Sequence, residues 1–409
     1  MQLTGYVLLG LVASALAAPA AAMETQTPGE RIEVSPSDLP RPGATPSAGN
    51  APRIVKRPPG ASLRLPPGFR AELFAERLGD ARNLVVAPNG DVFLSEGAEN
   101  RVTVLRDEGQ GLATKREIFA DGLTAPYGIA FRDDGVYIAD LERVWRYPYR
   151  MGEMKPAGPR TKVTPDGALG SADGHFTRNI VFSRDGSRLF VAIGSRSNVG
   201  EDPSPRASVQ LFRADGTGEE TYASGLRNPV GIALYPGSDE VYVVVNERDG
   251  MGDGLVPDFL TRLQPGGFYG WPYAYIGANP QPGLAERQPE LVKRSLVPDV
   301  LFRSHSAPLG LAFYTGRQFP AEYRGDAFVT LHGSWNSAHP TGYDIVRVPF
   351  RNGRPVGHYE IFASGFWVAG DRPAEVWGRP VGIAVAKNGS LLVADDAGET
   401  IWRISYVGP

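Results

Sequence analysis

The chain has 409 residues, with 42 basic against 45 acidic side chains, a formal net charge of −3 and no cysteine. That balance leaves no electrostatic footprint for nucleic acid and no polybasic membrane patch. The missing thiols exclude disulfides, iron–sulfur clusters, thiolate zinc sites and a cysteine-linked lipid anchor.

Residues 1–22, MQLTGYVLLGLVASALAAPAAA, read as a secretory signal peptide: an apolar stretch from Tyr6 to Leu16 precedes small residues that offer A-x-A cleavage sites ending at Ala17 or Ala22. The apolar run is short for a membrane span, so none is expected after cleavage and the mature protein is expected to be periplasmic or secreted. Residues 23–62 are rich in Pro, Ser, Thr and Gly with little hydrophobic periodicity, which predicts a flexible leader. Ordered structure is expected from about Leu63, and residues 63–409 form one domain.

Within that domain a phrase recurs six times: a small or polar residue, an apolar run, a turn and a second apolar run. The first halves are RNLVVAPNG, YGIAFRDDG, RNIVFSRDG, VGIALYPGS, LGLAFYTGR and VGIAVAKNG, anchored at Asn83, Gly128, Asn179, Gly231, Gly310 and Gly382. Neighbouring anchors lie 45, 51, 52, 79 and 72 residues apart. Several short strands per unit at such a period signal a β-propeller, and the two long intervals imply inserted loops. The 50 glycines and 36 prolines suit a chain built of tight turns. The expected fold is all-β, a six-bladed propeller of four-stranded antiparallel blades, with its chemistry where the blade loops meet the central axis.

Candidate residues follow from that placement. His175 precedes the first strand of the third repeat; it is either a turn histidine capping a strand or a general base, since imidazole takes a proton near neutral pH. His305 and His332 flank the strands of the fifth repeat, while His339 and His358 fall in loops and are expected to be solvated. Arg227 and Asn228 precede the fourth repeat's first strand as Arg178 and Asn179 begin the third's, and Arg379 is nearly equivalent in the sixth. Such arginines form inter-blade salt bridges or gather a ligand with several carboxylates or phosphates. The segment 244–275 places Glu247, Asp249, Asp253 and Asp258 among glycines, followed by an aromatic patch from Phe268 to Tyr275. Its oxygens suit calcium without EF-hand spacing; the aromatics suit a hydrophobic cover or a stacking site. No dinucleotide fingerprint, P-loop, nucleophile elbow or H-E-x-x-H motif is present.

Taken in order, GHFTRNIVFSRDG, GLRNPVGIAL, NERDGMGD, GGFYGWPY, APLGLAF, LHGSWN and GRPVGIAV resemble the glucose/sorbosone dehydrogenase family, soluble six-bladed propellers that use pyrroloquinoline quinone (PQQ) with calcium, and the sorbosone branch most closely. The resemblance spans residues 63–406. It implies oxidation of an aldose or related sugar aldehyde, with His175 as the base and Asp173 or Ser195 orienting it. It further implies Arg227, Asn228, His332, Arg379 and Tyr127 as cofactor-binding residues. Glu247, Arg248, Asp249 and Gly250, with Asp253 nearby, align with the stretch that supplies calcium ligands, chiefly through backbone carbonyls. An electron acceptor, a quinone or a cytochrome, is implied as partner. Two positions depart from the glucose-oxidising branch: its I-G-D phrase reads IGS here, giving Ser195, and its lysine at the fifth repeat's exit is His332. A calcium-dependent propeller lactonase and a non-catalytic binding propeller are the alternatives.

Overall fold

The computed structural model describes residues 26–408; the expected signal peptide lies outside the described residues. Each repeat phrase forms a pair of adjacent antiparallel strands, and the chain builds an all-β fold of four-stranded antiparallel sheets. The second strands, such as Val92–Glu96, Gly135–Ala139 and Leu391–Asp395, are buried along their whole length. A strand covered on both faces reads as a continuous apolar run, which is why the phrases lack strict alternation.

Six of the sheets start with the strands that carry the anchors: Ala81–Val86, Gly128–Arg132, Arg178–Phe182, Asn228–Leu234, Pro308–Phe313 and Pro380–Val385. Each of these first strands touches that of the next sheet, and the sixth touches the first. The anchors are contact points. A Cβ on Gly382 would lie 2.5 Å from the Arg82 carbonyl oxygen and 3.0 Å from the Asn83 Cα, so only glycine allows the two backbones to approach. Where the anchor is asparagine, its amide reaches across instead: Asn83 Nδ2 donates to the Tyr127 carbonyl at 3.1 Å and Asn179 Nδ2 to that of Val230 at 2.8 Å. Phe69–Ala75 completes the sixth sheet, pairing with the final strand Thr400–Tyr406, so the two ends of the domain are held in one sheet.

The longest interval is an insertion between Pro257–Arg262 and Val300–Ser304 of the fourth sheet. It carries the strand Gly267–Phe268, which pairs with Glu220–Ser224 of the third sheet, and the helix Pro289–Arg294. Tyr269 and Trp271 are buried there, the covering role open to the aromatic patch.

The leader departs from expectation. Arg31–Ile32 pair with Tyr359–Glu360 at the edge of the fifth sheet, and Arg53–Ile54 pair with Glu375–Val376. Ile32 is buried against Tyr359 and Ile361. Ordered packing is thus present well before Leu63, within the leader itself. The polar composition predicts disorder because such a segment cannot build a core; here it needs none, since it hydrogen-bonds to edges the domain already provides. Among the described residues, no helix is long and apolar enough to cross a membrane.

Candidate active site

Where the first strands converge, their preceding loops surround an open cavity of about 360 Å³, within the range of small-molecule sites, roughly 300–1,000 Å³. It brings together His175, Arg227, Asn228, Glu247, Asp249, His332 and Arg379. A larger space of about 590 Å³ lies between the leader and the loops 253–257 and 337–341; it contains none of that set.

Strand register places the histidine. Arg178 pairs with Ile193, so the chain entering before Arg178 runs beside the chain leaving after Ile193. His175 Nδ1 lies 2.8 Å from the Ser195 carbonyl oxygen and 3.0 Å from Ser195 Oγ, whose hydroxyl donates to the Ser197 carbonyl at 2.7 Å. A carbonyl only accepts, so Nδ1 carries the proton and Nε2 keeps the lone pair. Burial, with the Arg227 cation next, pushes the His175 pKa down to about 4, so the ring is neutral at pH 7. Asp173 is not part of this arrangement: its carboxylate is half exposed and pairs with Arg196 at 2.8 Å. Of the two candidate orienting residues the structure brings only Ser195 to the imidazole, because the loop turns the Asp173 side chain towards solvent.

Register also joins the next pair. Asn228 pairs with Asn246, which sets Arg227 beside Glu247. Arg227 donates to the Asn198 carbonyl and side chain, both at 3.0 Å, and lies 3.6 Å from Asp249. Arg379 donates to the carbonyls of His332 and Gly333 at 3.1 and 2.9 Å. His332 Nε2 meets both oxygens of Asp396 at 3.0 Å, and Arg82 pairs with the same carboxylate. Burial holds His332 down at about 4, while its N–H and the Arg82 cation outweigh burial at Asp396 and keep that carboxylate ionised. Tyr127 does not line the cavity; it lies in an apolar floor with Val230, Leu309 and Val381, with Arg82 above its ring at 6.0 Å. Burial pushes its pKa up to about 12.

The acidic side is less gathered than the sequence implies. Glu247 and Asp258 are buried, and burial raises their pKa values to about 8 and about 6. The Asp249 carboxylate accepts from Asn336 Nδ2, while its carbonyl accepts from Arg248 Nε at 2.9 Å and Asn198 Nδ2 at 3.0 Å. Gly250 is exposed. Asp253 faces the larger space and accepts from the Ala338 amide at 2.8 Å. Among the described residues no three acidic or histidine side chains form a metal-binding group. Of the expected ligands, the Asp249 carbonyl is already taken by Arg248 and Asn198, and the Asp253 carboxylate is held by the 337–338 loop.

Two groups at the cavity escaped the sequence reading. Arg82 stands before Asn83 as Arg227 stands before Asn228, so the repeat alignment contained its signal. Phe176 and Trp335, 46% and 54% exposed, rim the cavity with aromatic surface, and nothing in the sequence distinguished them from core aromatics. Arg178, by contrast, turns beneath the His175 loop and donates to the carbonyls of His175, Thr177, Ser171 and Leu169. His358 is not solvated; its side chain is 13% exposed and pairs with Glu360. Among the described residues, four of nine buried polar atoms without a protein partner lie at the centre: Arg82 Nε, Thr177 Oγ1 and Asn228 Oδ1 on the cavity and Tyr127 Oη below it. Such atoms are costly unless a ligand or water completes them.

The TrAA12-like family model matches residues 63–256 and 289–407, and the glucose/sorbosone dehydrogenase model matches 202–334. An uncharacterised protein of Borreliella burgdorferi is 29% identical over 357 residues, covering 85% of this chain and 91% of that protein. A pyrroloquinoline quinone-dependent pyranose dehydrogenase of Coprinopsis cinerea is 24% identical over 357 residues, 76% of this chain but 46% of that protein's length. The holo PQQ domain of the Coprinopsis cinerea pyranose dehydrogenase superposes with a TM-score of 0.71 at 19% identity, covering 87% of this chain and 99% of the domain, which establishes a shared fold.

Proposed function

This chain belongs to the TrAA12-like family, and from that premise we propose that it is an oxidoreductase that binds PQQ in the central cavity and oxidises a sugar there, an aldose or a related sugar aldehyde. The observation that carries the proposal is His175: a neutral imidazole with Nδ1 committed to Ser195 and the Nε2 lone pair left as the basic position on the cavity wall. The six sheets are read as the blades of a propeller, supported by the circuit of contacts between their first strands.

PQQ, an ortho-quinone with three carboxylates, supplies the hydride acceptor when bound. Arg82, Arg227 and Arg379 bind its carboxylates through fixed guanidinium forks. The unpartnered Asn228 Oδ1 and Thr177 Oγ1 would be free to hydrogen-bond to it, and Tyr127 supports Arg82 from below. His332 stays neutral and, through Asp396, holds Arg82 in place. His175 takes the sugar hydroxyl proton on Nε2, and the Ser195 carbonyl keeps the ring in the required tautomer. Phe176 and Trp335 offer apolar faces for the C–H side of a sugar ring. Calcium is assigned no step, since among the described residues no three acidic or histidine side chains form a group that would hold it. The electron acceptor is proposed as a quinone or cytochrome, and the protein is placed in the periplasm or outside the cell on the apolar N-terminal stretch.

The test is an absorption titration of the purified protein with PQQ, with and without calcium, followed by a panel of aldoses and sugar aldehydes. A shifted quinone band that bleaches with a sugar is expected. Absence of any shift under both conditions rejects the proposal and favours a binding propeller.

A further inference from the structure

The leader is hydrogen-bonded to two loops that carry residues of the central cavity. Gly43 N donates to the Met251 carbonyl at 2.9 Å, and Thr45 Oγ1 accepts from the Asp253 amide at 2.7 Å. Both contacts hold the loop that follows Asp249. Farther on, Asn50 N donates to the Trp335 carbonyl at 2.8 Å, and its side chain donates to the carbonyls of Ser337 at 3.0 Å and Asp371 at 2.8 Å. These contacts hold the loop of Trp335 and Asn336. The two loops meet each other through the Asn336–Asp249 hydrogen bond and through Asp253, which accepts from Ala338 N. Backbone bonds from Arg53 and Val55 to Ala374 and Val376 then fasten the leader beyond them.

We propose that residues 43–55 act as a strap in which Thr45 and Asn50 are positioning residues: they fix the loops of Asp249 and of Trp335–Asn336 and so complete one wall of the cavity. Neither residue lines the cavity; they act through the backbone of residues that do. The strap lies outside the region matched by the family model, which begins at residue 63, so this wall is braced by a segment the matched region does not contain. A short segment can do this because each contact adds to a loop already anchored by strands on both sides. The effect on ligand affinity rests on the proposed reading of the cavity as a PQQ site; the effect on the loops does not.

The experiment uses the full chain and compares wild type with Thr45→Val and Asn50→Ala, and with Thr45→Ser as the conservative control. Hydrogen–deuterium exchange is measured without cofactor over peptides 249–256 and 333–340. Loss of one hydrogen bond predicts exchange faster by about tenfold in the loop each residue holds. Thr45→Ser is expected to retain wild-type exchange, and the core strands Val92–Glu96 and Leu391–Asp395 to remain unchanged in all variants. PQQ titration of the same proteins is expected to give a Kd raised by about tenfold in Asn50→Ala. Unchanged exchange in both loops overturns the strap, as does exchange that rises equally in the core strands. Faster loop exchange with an unaltered PQQ Kd overturns the claim that the strap completes the cavity wall. Faster loop exchange in a protein whose wild type binds no PQQ upholds the bracing and rejects the proposed function.

Discussion

His175 and Arg206 share one acceptor: the Ser195 carbonyl oxygen receives the imidazole Nδ1 at 2.8 Å and the guanidinium Nη2 at 2.7 Å. Arg206 also donates to the carbonyls of Gly194, Asp173 and His175 at 2.6, 2.9 and 3.3 Å. Its side chain is almost fully buried, and the Asp173 carboxylate stands 4.0 Å away. The His175 imidazole is therefore held by a dipole with a cation behind it, where a carboxylate would raise its basicity.

The Arg206 cation contributes to the low His175 pKa, after burial and Arg227. A base works in its neutral form, so activity is lost as pH falls through that pKa, about 4 in the native protein. In Arg206→Gln the cation is gone, the pKa rises, and the acidic limb of kcat moves to higher pH by about one unit. A kcat profile from pH 4 to 8 decides this; a limb that stays in place shows that Arg206 only supports the loop.

His175→Ala removes the proton acceptor but no arginine. Turnover should fall by about 100-fold or more, while the PQQ Kd from the absorption titration stays within a few-fold of the native value. Near-native turnover would remove His175 from the mechanism.

Gly194 is packed between His175 and Asn228. A Cβ there would lie 2.4 Å from Asn228 Oδ1 and 2.6 Å from His175 Cβ. Gly194→Ala should weaken PQQ binding and lower kcat together, at a stability cost of about 1–3 kcal/mol, read from denaturant titration. An alanine variant with native affinity would show that the hairpin shifts freely.

His332 gives a stability signature. Its folded pKa, about 4, lies below the unfolded value of 6.5, so the unfolded chain binds the extra proton first as pH falls. Its stabilising contribution is whole above pH 6.5 and declines as pH drops towards 4, by a total on the order of 1–3 kcal/mol. His332→Gln lacks this proton, so the difference in stability between variant and native protein should change across that window and be flat above it. Parallel stability profiles from pH 4 to 7 would show that folding leaves the His332 pKa unshifted.

The strands and the meeting place of the site were legible because both are written as local periodicity. Asn83, Gly128, Asn179, Gly231, Gly310 and Gly382 mark the points where first strands approach. His175, Arg227 and Arg379 stand a few residues before such points, so aligning the phrases predicts that they meet. Arg82 immediately precedes the Asn83 anchor, so the same alignment directs it to the cavity. Arg178, like Arg82, immediately precedes an asparagine anchor, but the loop before it offers carbonyls that draw the guanidinium underneath.

By itself the sequence determined which segments become strands, since burial on two faces demands apolar runs and close backbones demand glycine. It also determined that histidine and arginines would crowd one end of those strands. Only the tertiary structure decided that Ser195, not Asp173, meets the His175 ring, that Asp253 lines a different space from Asp249, and that the leader binds the domain. Each of those outcomes depends on which hydrogen-bonding groups lie across a gap between segments far apart in the chain. Such partners have no periodicity to read, because they are set by where the loops close in space.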